Sequence, residues 1–269
     1  MPAYSKLLIA SSKGGVGKST TAVGLAVAFS RQYKKVLLVD TDIASRSLDM
    51  LLDAEDTTVS DFADVIEGDD VKDVAVSVSP ADDIDNLSLI PACSIDRLRF
   101  VSSKLGLTMH EAMRKGIESI LESTDYDVFI CDTGGGVEYA CDFADLFDLT
   151  LVVSEQGKTS VRAADYASAQ LEDAGAKRIR LVVCSFDLQA VKKEKRAGII
   201  EIIDASSLPC VGVVPFDKKL QWIQDRGKLP EVNSPTTIAY SNIAKRISGY
   251  DVRLFEGMKS FFGKRHKIL

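Results

Sequence analysis

Short apolar runs alternate along this chain with stretches in which apolar residues recur every three or four positions. Seven runs have the length and the two-sided apolar character of parallel strands that are covered on both faces. They are residues 7–10, 35–40, 86–91, 127–132, 149–154, 179–185 and 210–214. Helical spacing occupies residues 19–31, 109–122, 161–174, 192–205 and 236–248. The alternation predicts an α/β fold, with one doubly wound, mostly parallel sheet and helices on both faces.

Residues 54–85 follow neither pattern clearly. The segment is rich in Asp, and residues 56–61 indicate the start of a short helix. Residues 79–83, Ser-Pro-Ala-Asp-Asp, are typical of a turn. We expect loops and short helices here.

Composition narrows the class of protein. The chain has 269 residues, of which 46% are hydrophobic and 27% charged, with a net charge of −6. An acidic chain of this kind is not built to coat nucleic acid over its whole surface, although a local basic patch can still bind DNA. The sequence has no apolar run of 18 residues and no signal-peptide pattern at its start. We therefore expect a cytoplasmic protein with no membrane span.

A glycine-rich segment joins the first predicted strand to the first predicted helix. Residues 13–20 read Lys-Gly-Gly-Val-Gly-Lys-Ser-Thr. Glycines let successive backbone N–H groups turn toward one anion, and the helix N-terminus adds the positive end of its dipole. The segment predicts a phosphate-binding loop in which Lys18 contacts the β- and γ-phosphates and Ser19 gives its hydroxyl to Mg²⁺. The predicted loop contacts are Gly14, Gly15, Val16, Gly17, Lys18, Ser19 and Thr20.

Two further predicted strands end in aspartate. One runs into Asp40 and Asp42, and the other ends at Asp132. A single aspartate at a strand end is more often a turn or a cap than a ligand. Because ligands of open α/β sheets bind beyond the carboxyl ends of the strands, a phosphate loop in the same chain favours the ligand interpretation. We expect Asp132 to hold Mg²⁺ directly or through water.

The phosphate loop departs from the common G-x-x-x-x-G-K-[ST] pattern, because position 12 is Ser and an extra lysine, Lys13, precedes the glycines. Residues 13–20 are identified as the deviant Walker A motif of the MinD/ParA family of P-loop ATPases. The resemblance covers nearly the whole chain. It implies that the protein binds ATP with Mg²⁺, hydrolyses it to ADP and phosphate, and forms a homodimer on ATP. It also implies that Lys13 reaches the nucleotide of the partner subunit.

The resemblance implies roles for further residues. Asp42 resembles the family's aspartate that orients the attacking water. Asp40 resembles the residue just before it in that segment, which has a role near the metal. Gly135 lies in a run of three glycines that resembles a switch responding to the γ-phosphate. Pro215, Phe216 and Asp217 resemble part of the family's loop that closes over the base of the nucleotide. The resulting catalytic set is Lys13, Lys18 and Asp42, and the metal set is Ser19, Asp40 and Asp132.

The chain end differs in charge from the rest. Residues 253–269 carry a net charge of +4, which leaves −10 on the preceding 252 residues. A basic segment with an apolar side predicts a helix that lies in a membrane interface, and it resembles the targeting tail of MinD-like family members. The alternative is a last helix docked on the protein's own core. We predict an ATPase domain of residues 1–250 and a tail of residues 251–269, with an apolar side formed by Leu254, Phe255, Met258, Phe261, Phe262, Ile268 and Leu269.

Three functions follow from these features. The favoured one is a MinD-like ATPase that dimerises on ATP, binds an anionic membrane surface through residues 251–269 and leaves it on hydrolysis, with the help of an unidentified activating protein. The second is a ParA-like ATPase that uses DNA as its matrix, for which residues 192–196, Lys-Lys-Glu-Lys-Arg, are the only basic strip in the body. The third is a flagellar or pilus-assembly regulator that acts mainly by binding protein.

Overall fold

The computed structural model describes residues 3–258, and its strands form a single sheet. The strand order is β3-β4-β2-β5-β1-β6-β7-β8, and every pair is parallel except β3 with β4. The doubly wound fold expected from the alternating pattern is therefore confirmed. The strands are β1 (Lys6–Ala10), β2 (Val36–Asp40), β3 (Val76–Val78), β4 (Leu87–Ile90), β5 (Val128–Asp132), β6 (Leu149–Glu155), β7 (Ile179–Phe186) and β8 (Cys210–Pro215).

Helices cover both faces of the sheet. A short 3₁₀ turn at Ala144–Leu146 also precedes β6. The α-helices are α1 (Lys18–Ser30), α2 (Leu48–Leu51), α3 (Phe62–Glu67), α4 (Val71–Val74), α5 (Ile95–Leu105), α6 (Met109–Glu122), α7 (Val137–Cys141), α8 (Lys158–Asp173), α9 (Leu188–Lys192), α10 (Ile199–Ser206), α11 (Leu220–Gln224) and α12 (Pro235–Ile247).

Several elements differ from the sequence-based expectation. Strand β3 was not predicted, because three residues are too few to show a period, and the short helices α2, α7 and α11 were not predicted either. Helix α5 was missed as well; only three of its side chains are buried. The single helix predicted over residues 192–205 is wrong, because the chain forms α9 and α10 with a break between them. Glu194 adopts a left-handed backbone conformation (φ 55°) in that break, which a continuous helix does not allow.

The chain after α12 turns back along that helix. The Arg246 guanidinium donates to the carbonyls of Val252 and Arg253, and the Asn242 amide donates to the carbonyl of Glu256 at 2.7 Å. Met258 is buried at 1% exposure. Residues 251–258 thus contact the body of the protein, and residues 254–257 form a turn.

This packing corrects one expectation. Leu254, Phe255 and Met258 pack against the domain core, so they do not belong to the apolar side of a membrane helix. The tail residues that could form such a helix, 259–269, lie outside the described residues, and the separate tail stays a prediction. Within residues 3–258, no helix is both long and apolar enough to cross a bilayer.

Candidate phosphate- and magnesium-binding site

The sheet brings three strand ends together beside the glycine-rich loop. In the parallel register, Asp132 of β5 pairs with Ile9 of β1 on one side and with Asp40 of β2 on the other. The glycine-rich loop follows β1, which lies next to β5 in the sheet, and leads into α1. The predicted convergence of the loop with the carboxylates is therefore present, because neighbouring parallel strands end at the same edge.

The loop has the shape of an anion cradle. Gly15 and Gly17 have left-handed backbone conformations (φ 76° and 94°), which favour glycine. A Cβ atom added at Gly14 or Gly15 would meet nothing within 4 Å, so the space above them is open. Val16 is buried and anchors the loop, while its glycine neighbours on the N-terminal side are exposed. No side chain caps α1, so its first N–H groups point to the space that an anion would fill.

Lys18 and Asp132 form a buried ion pair beneath this cradle. The Lys18 Nζ lies 3.2 Å from Asp132 Oδ1 and also donates to the carbonyl of Thr133. Lys18 is 8% exposed and Asp132 is fully buried. Burial raises the pKa of Asp132, whereas the charge of Lys18 and a hydrogen bond from the Ser19 hydroxyl oppose this rise. Two residues 114 positions apart thus share one electrostatic centre.

The donor set fits a magnesium ion. Asp132 Oδ2 is buried and has no hydrogen-bond partner among residues 3–258, which leaves one carboxylate oxygen for a cation. The Ser19 hydroxyl contacts the same carboxylate. Among the described residues no group of three or more His, Cys, Asp and Glu could hold a metal. A site with only one or two protein oxygens is the usual arrangement for Mg²⁺, which keeps several waters and binds substrate phosphates.

Asp40 and Asp42 shape the segment that follows β2. Asp40 Oδ1 accepts from the Asp42 N–H at 2.9 Å, and its Oδ2 accepts from the N–H groups of Ser47 and Leu48. Asp42 Oδ1 accepts from the N–H groups at positions 44 and 45, and no described residue donates to its Oδ2. Asp40 therefore holds the loop with both oxygens, and its role near the metal stays a prediction. Asp42 keeps one oxygen for a water or another ligand.

The buried Asp40 predicts a pH-dependent stability. Burial, followed by the charge of Asp132, raises its pKa from 3.8 to about 7. In the unfolded chain Asp40 ionises at its ordinary pKa, whereas in the folded protein it ionises only near pH 7. The free energy of unfolding therefore falls as the pH rises between these two values and then levels off. We expect this loss at about 1.4 kcal/mol for each pH unit at most.

Urea denaturation of the nucleotide-free protein between about pH 5 and pH 8 tests this expectation, with Asp40→Asn as the reference variant. The difference in unfolding free energy, wild type minus variant, should decrease as the pH rises. Parallel pH profiles for the two proteins would contradict the assignment to Asp40.

Lys13 lies at the opposite, β6 side of the loop. Its Nζ donates to Ser160 Oγ at 3.1 Å and lies 3.9 Å from Glu155 Oε2, and its side chain is 47% exposed. An ion pair this exposed contributes about 1 kcal/mol or less. The lysine can therefore exchange these partners for another anion at low cost, as its predicted contact with a partner's nucleotide requires.

The remaining predicted residues lie at two further positions around this edge. Gly135 is exposed in the loop between β5 and α7, where a Cβ atom would meet nothing within 4 Å. Pro215 ends β8 and pairs with Phe186, and the Phe216 N–H donates to the Phe186 carbonyl at 3.1 Å. Asp217 Oδ1 accepts from the Lys219 N–H, which closes the following turn. The structure gives their positions, and their nucleotide contacts stay predictions.

Sequence reasoning missed three residues of this neighbourhood. Glu155, the partner of Lys13, ends a strand next to β1, so the rule applied to the aspartates would have found it. The Gln224 amide donates to the Thr20 hydroxyl at 3.1 Å. Tyr240 packs so closely against Gly24 that a Cβ atom at position 24 would overlap the Tyr240 ring. Only the fold brings these two residues to α1, because no local pattern relates them to it.

A glycine-rich loop between a central parallel strand and a helix, with a buried Lys–Asp pair below it, defines a P-loop nucleotide-binding protein. The sequence profile of the CobQ/CobB/MinD/ParA nucleotide binding domain matches residues 7–230. The chain therefore belongs to this family, and within it to the MinD-like ATPases.

Three known proteins illustrate the similarity. The septum site-determining protein MinD of Bacillus subtilis is 32% identical over 276 residues, which cover 96% of this chain and 98% of that protein. A chain of the MinC:MinD cell division protein complex of Aquifex aeolicus is 30% identical with a TM-score of 0.79, covering 92% of this chain and 97% of its own. MinD of Pyrococcus horikoshii, solved with Mg-ADP, is 18% identical with a TM-score of 0.72, covers 90% and 94% of the two chains, and shares the fold.

Proposed function

We propose that this protein is a cytoplasmic ATPase that dimerises on ATP, binds an anionic membrane surface through its C-terminal tail and leaves it on hydrolysis. Such a cycle positions a division apparatus or another cellular structure. The observation that supports it most is the buried pair of Lys18 and Asp132, with half-buried Ser19 beside it, directly below an open glycine loop. The family relationship to MinD supports ATP as the nucleotide.

Each polar group of the site has one task in the proposed reaction. Lys18 contacts the β- and γ-phosphates, the Gly14–Gly17 backbone surrounds them, and Asp42 uses its open oxygen to orient the attacking water. Ser19 and Asp132 would hold Mg²⁺, which would neutralise charge on the phosphates. Lys13 of the partner subunit adds a second ammonium as charge spreads over the transferred phosphoryl group.

The membrane step depends on the last eleven residues in this proposal. Residues 259–269 contain Phe261, Phe262, Ile268 and Leu269 together with four Lys/Arg. Each basic residue near an anionic surface contributes about 1 kcal/mol, and burial of the aromatic and aliphatic side chains adds to it. One copy binds weakly, so a dimer with two tails gains affinity through avidity.

Vesicle sedimentation tests this function with a cut that the structure defines. A chain that ends at Met258 keeps its contact with the core, whereas a cut before Asp251 removes a buried side chain. With ATP and Mg²⁺, we expect the full chain to sediment with anionic vesicles and the shortened chain to stay in solution. Both chains should bind ATP equally, because the phosphate loop is intact in each.

A DNA matrix is the second candidate, and one observation favours it. All five residues of the basic strip 192–196 are exposed in the structure. Their mixed charge, with Glu194 inside the strip, is also typical of a solvated surface. Sedimentation of the full chain with DNA, but not with anionic vesicles, would reverse the order of the two proposals. A partner-stimulated ATPase without either matrix would support the regulatory alternative.

A further inference from the structure

A short segment between β8 and α12 exposes aromatic and basic side chains together. Phe216 is 49% exposed and Trp222, the only tryptophan of the chain, is 62% exposed. The Lys and Arg side chains of this segment are exposed, and they form no salt bridge with any residue in the described part of the chain. We name the surface formed by Lys218, Lys219, Trp222, Arg226 and Lys228 the α11 patch; Phe216 stays with the predicted base-contacting loop.

The patch has the chemistry of a membrane-interface contact. An indole ring is apolar over most of its surface and polar at its N–H, so it is stabilised at the headgroup level of a bilayer. Lysine and arginine beside it can extend their charges to anionic headgroups while their stems cover apolar surface. Residues 216–228 carry a net charge of +2, although residues 1–252 as a whole carry −10. An anionic surface is therefore attracted to this part of the body and repelled by most of the rest.

The path of residues 251–258 brings Met258, the last described residue, to the same edge of the sheet. Helix α12 runs antiparallel to β8, since Arg246 donates to the Val211 carbonyl near the start of that strand. The segment after α12 then runs back along that helix. The Asn242 amide donates to the Glu256 carbonyl, and a Cβ atom added at Gly257 would lie 3.3 Å from the Ile238 side chain. The chain thus reaches Met258 near the N-terminal half of α12. Residues 216–234 lie at this edge too, because β8 ends there.

We propose that the α11 patch is a second membrane contact, in which Trp222 lies at the headgroup level of an anionic bilayer, at the sheet edge that Met258 also reaches. The inference rests on the proposed membrane function and adds a body surface to it. Duplex DNA is less suited to this surface, because its phosphate backbone offers no apolar layer for the exposed indole of Trp222.

Intrinsic fluorescence tests the proposal directly, because all tryptophan emission of the full chain comes from Trp222. Emission is recorded with ATP and Mg²⁺ before vesicles are added, since Gln224 next to the patch touches Thr20 of the phosphate loop. Anionic vesicles should then shift the emission to shorter wavelength, and lipids with a quencher near the headgroup should reduce its intensity. Neutral vesicles should produce neither change.

Charge variants supply a second readout on the same full chain. Replacing Lys218 and Lys219 by glutamine should weaken vesicle binding by up to about thirtyfold, since each basic residue contributes about 1 kcal/mol at an anionic surface. The matched control replaces Lys192 and Lys193, another exposed pair, and should leave vesicle binding unchanged. ATP affinity should be the same in all three proteins.

The outcomes separate this inference from the function on which it rests. If the full chain does not sediment with anionic vesicles, both fail. If it sediments while Trp222 emission stays unshifted and unquenched, the inference is overturned and the membrane function stands. A shift with duplex DNA and none with vesicles would overturn the membrane assignment of the patch in favour of nucleic acid.

Discussion

Replacement of Lys18 by alanine should weaken ATP binding by at least about a hundredfold. The ammonium group is predicted to contact two phosphates, and a hydrogen bond to a charged group contributes about 1.5–3 kcal/mol. Isothermal titration with Mg-ATP measures the loss. Normal ATP affinity in a folded Lys18→Ala protein would remove the site assignment, and with it the proposed function.

The structure shows that this variant needs a stability control. Lys18 neutralises the fully buried Asp132, and removal of one partner of a buried pair costs about 3–5 kcal/mol. The double variant Lys18→Ala with Asp132→Ala leaves neither charge uncompensated. We expect it to recover part of the unfolding free energy in urea denaturation and still to bind no ATP. Recovery of ATP binding together with stability would show that Lys18 acts only through the fold.

Replacement of Lys13 by alanine should leave stability and ATP binding nearly unchanged and should reduce ATP hydrolysis. Lys13 is half exposed and its ion pair with Glu155 is long, so we expect the unfolding free energy to change by less than about 1 kcal/mol. ATP binding by the monomer should be nearly normal. Hydrolysis should fall by at least about a hundredfold, because a cation that reaches the transferred phosphoryl group from another subunit typically contributes more than this.

Phosphate release measured over a range of protein concentrations tests this expectation. The wild-type rate per subunit should rise with concentration as dimers form, and the Lys13→Ala rate should stay low throughout. The matched control is Lys35→Ala, because Lys35 is exposed just before β2, at the amino end of that strand and away from the loop. A Lys13→Ala protein with normal hydrolysis, or with ATP binding lost to the same degree, would contradict a role across the dimer.

The contrast between the two lysines shows what local sequence can and cannot predict. Both were assigned to the phosphates from one eight-residue motif, and the motif alone does not reveal which of them is buried. The fold places Lys18 under the loop beside Asp132 and places Lys13 at the rim beside Glu155. Their expected phenotypes differ for that reason. The same holds for Asp40, whose oxygens both accept backbone hydrogen bonds that no sequence pattern indicated.

The sequence by itself determined most strands and the phosphate loop of this protein. Apolar runs marked seven of the eight strands, because residues buried on both faces of a parallel sheet must be apolar. The glycine spacing marked the phosphate loop, because few other residues tolerate its left-handed positions. These are short-range constraints, so a one-dimensional pattern records them.

Only the tertiary structure decided which distant residues meet. The pairing of Lys18 with Asp132, the contact of Gln224 with Thr20 and the return of residues 251–258 along α12 join parts of the chain that share no local pattern. The tail shows this most clearly: Met258 fits an amphipathic stripe in the sequence, yet it is buried in the domain core. A stripe shows that an apolar face will be covered, and the folded neighbours decide what covers it.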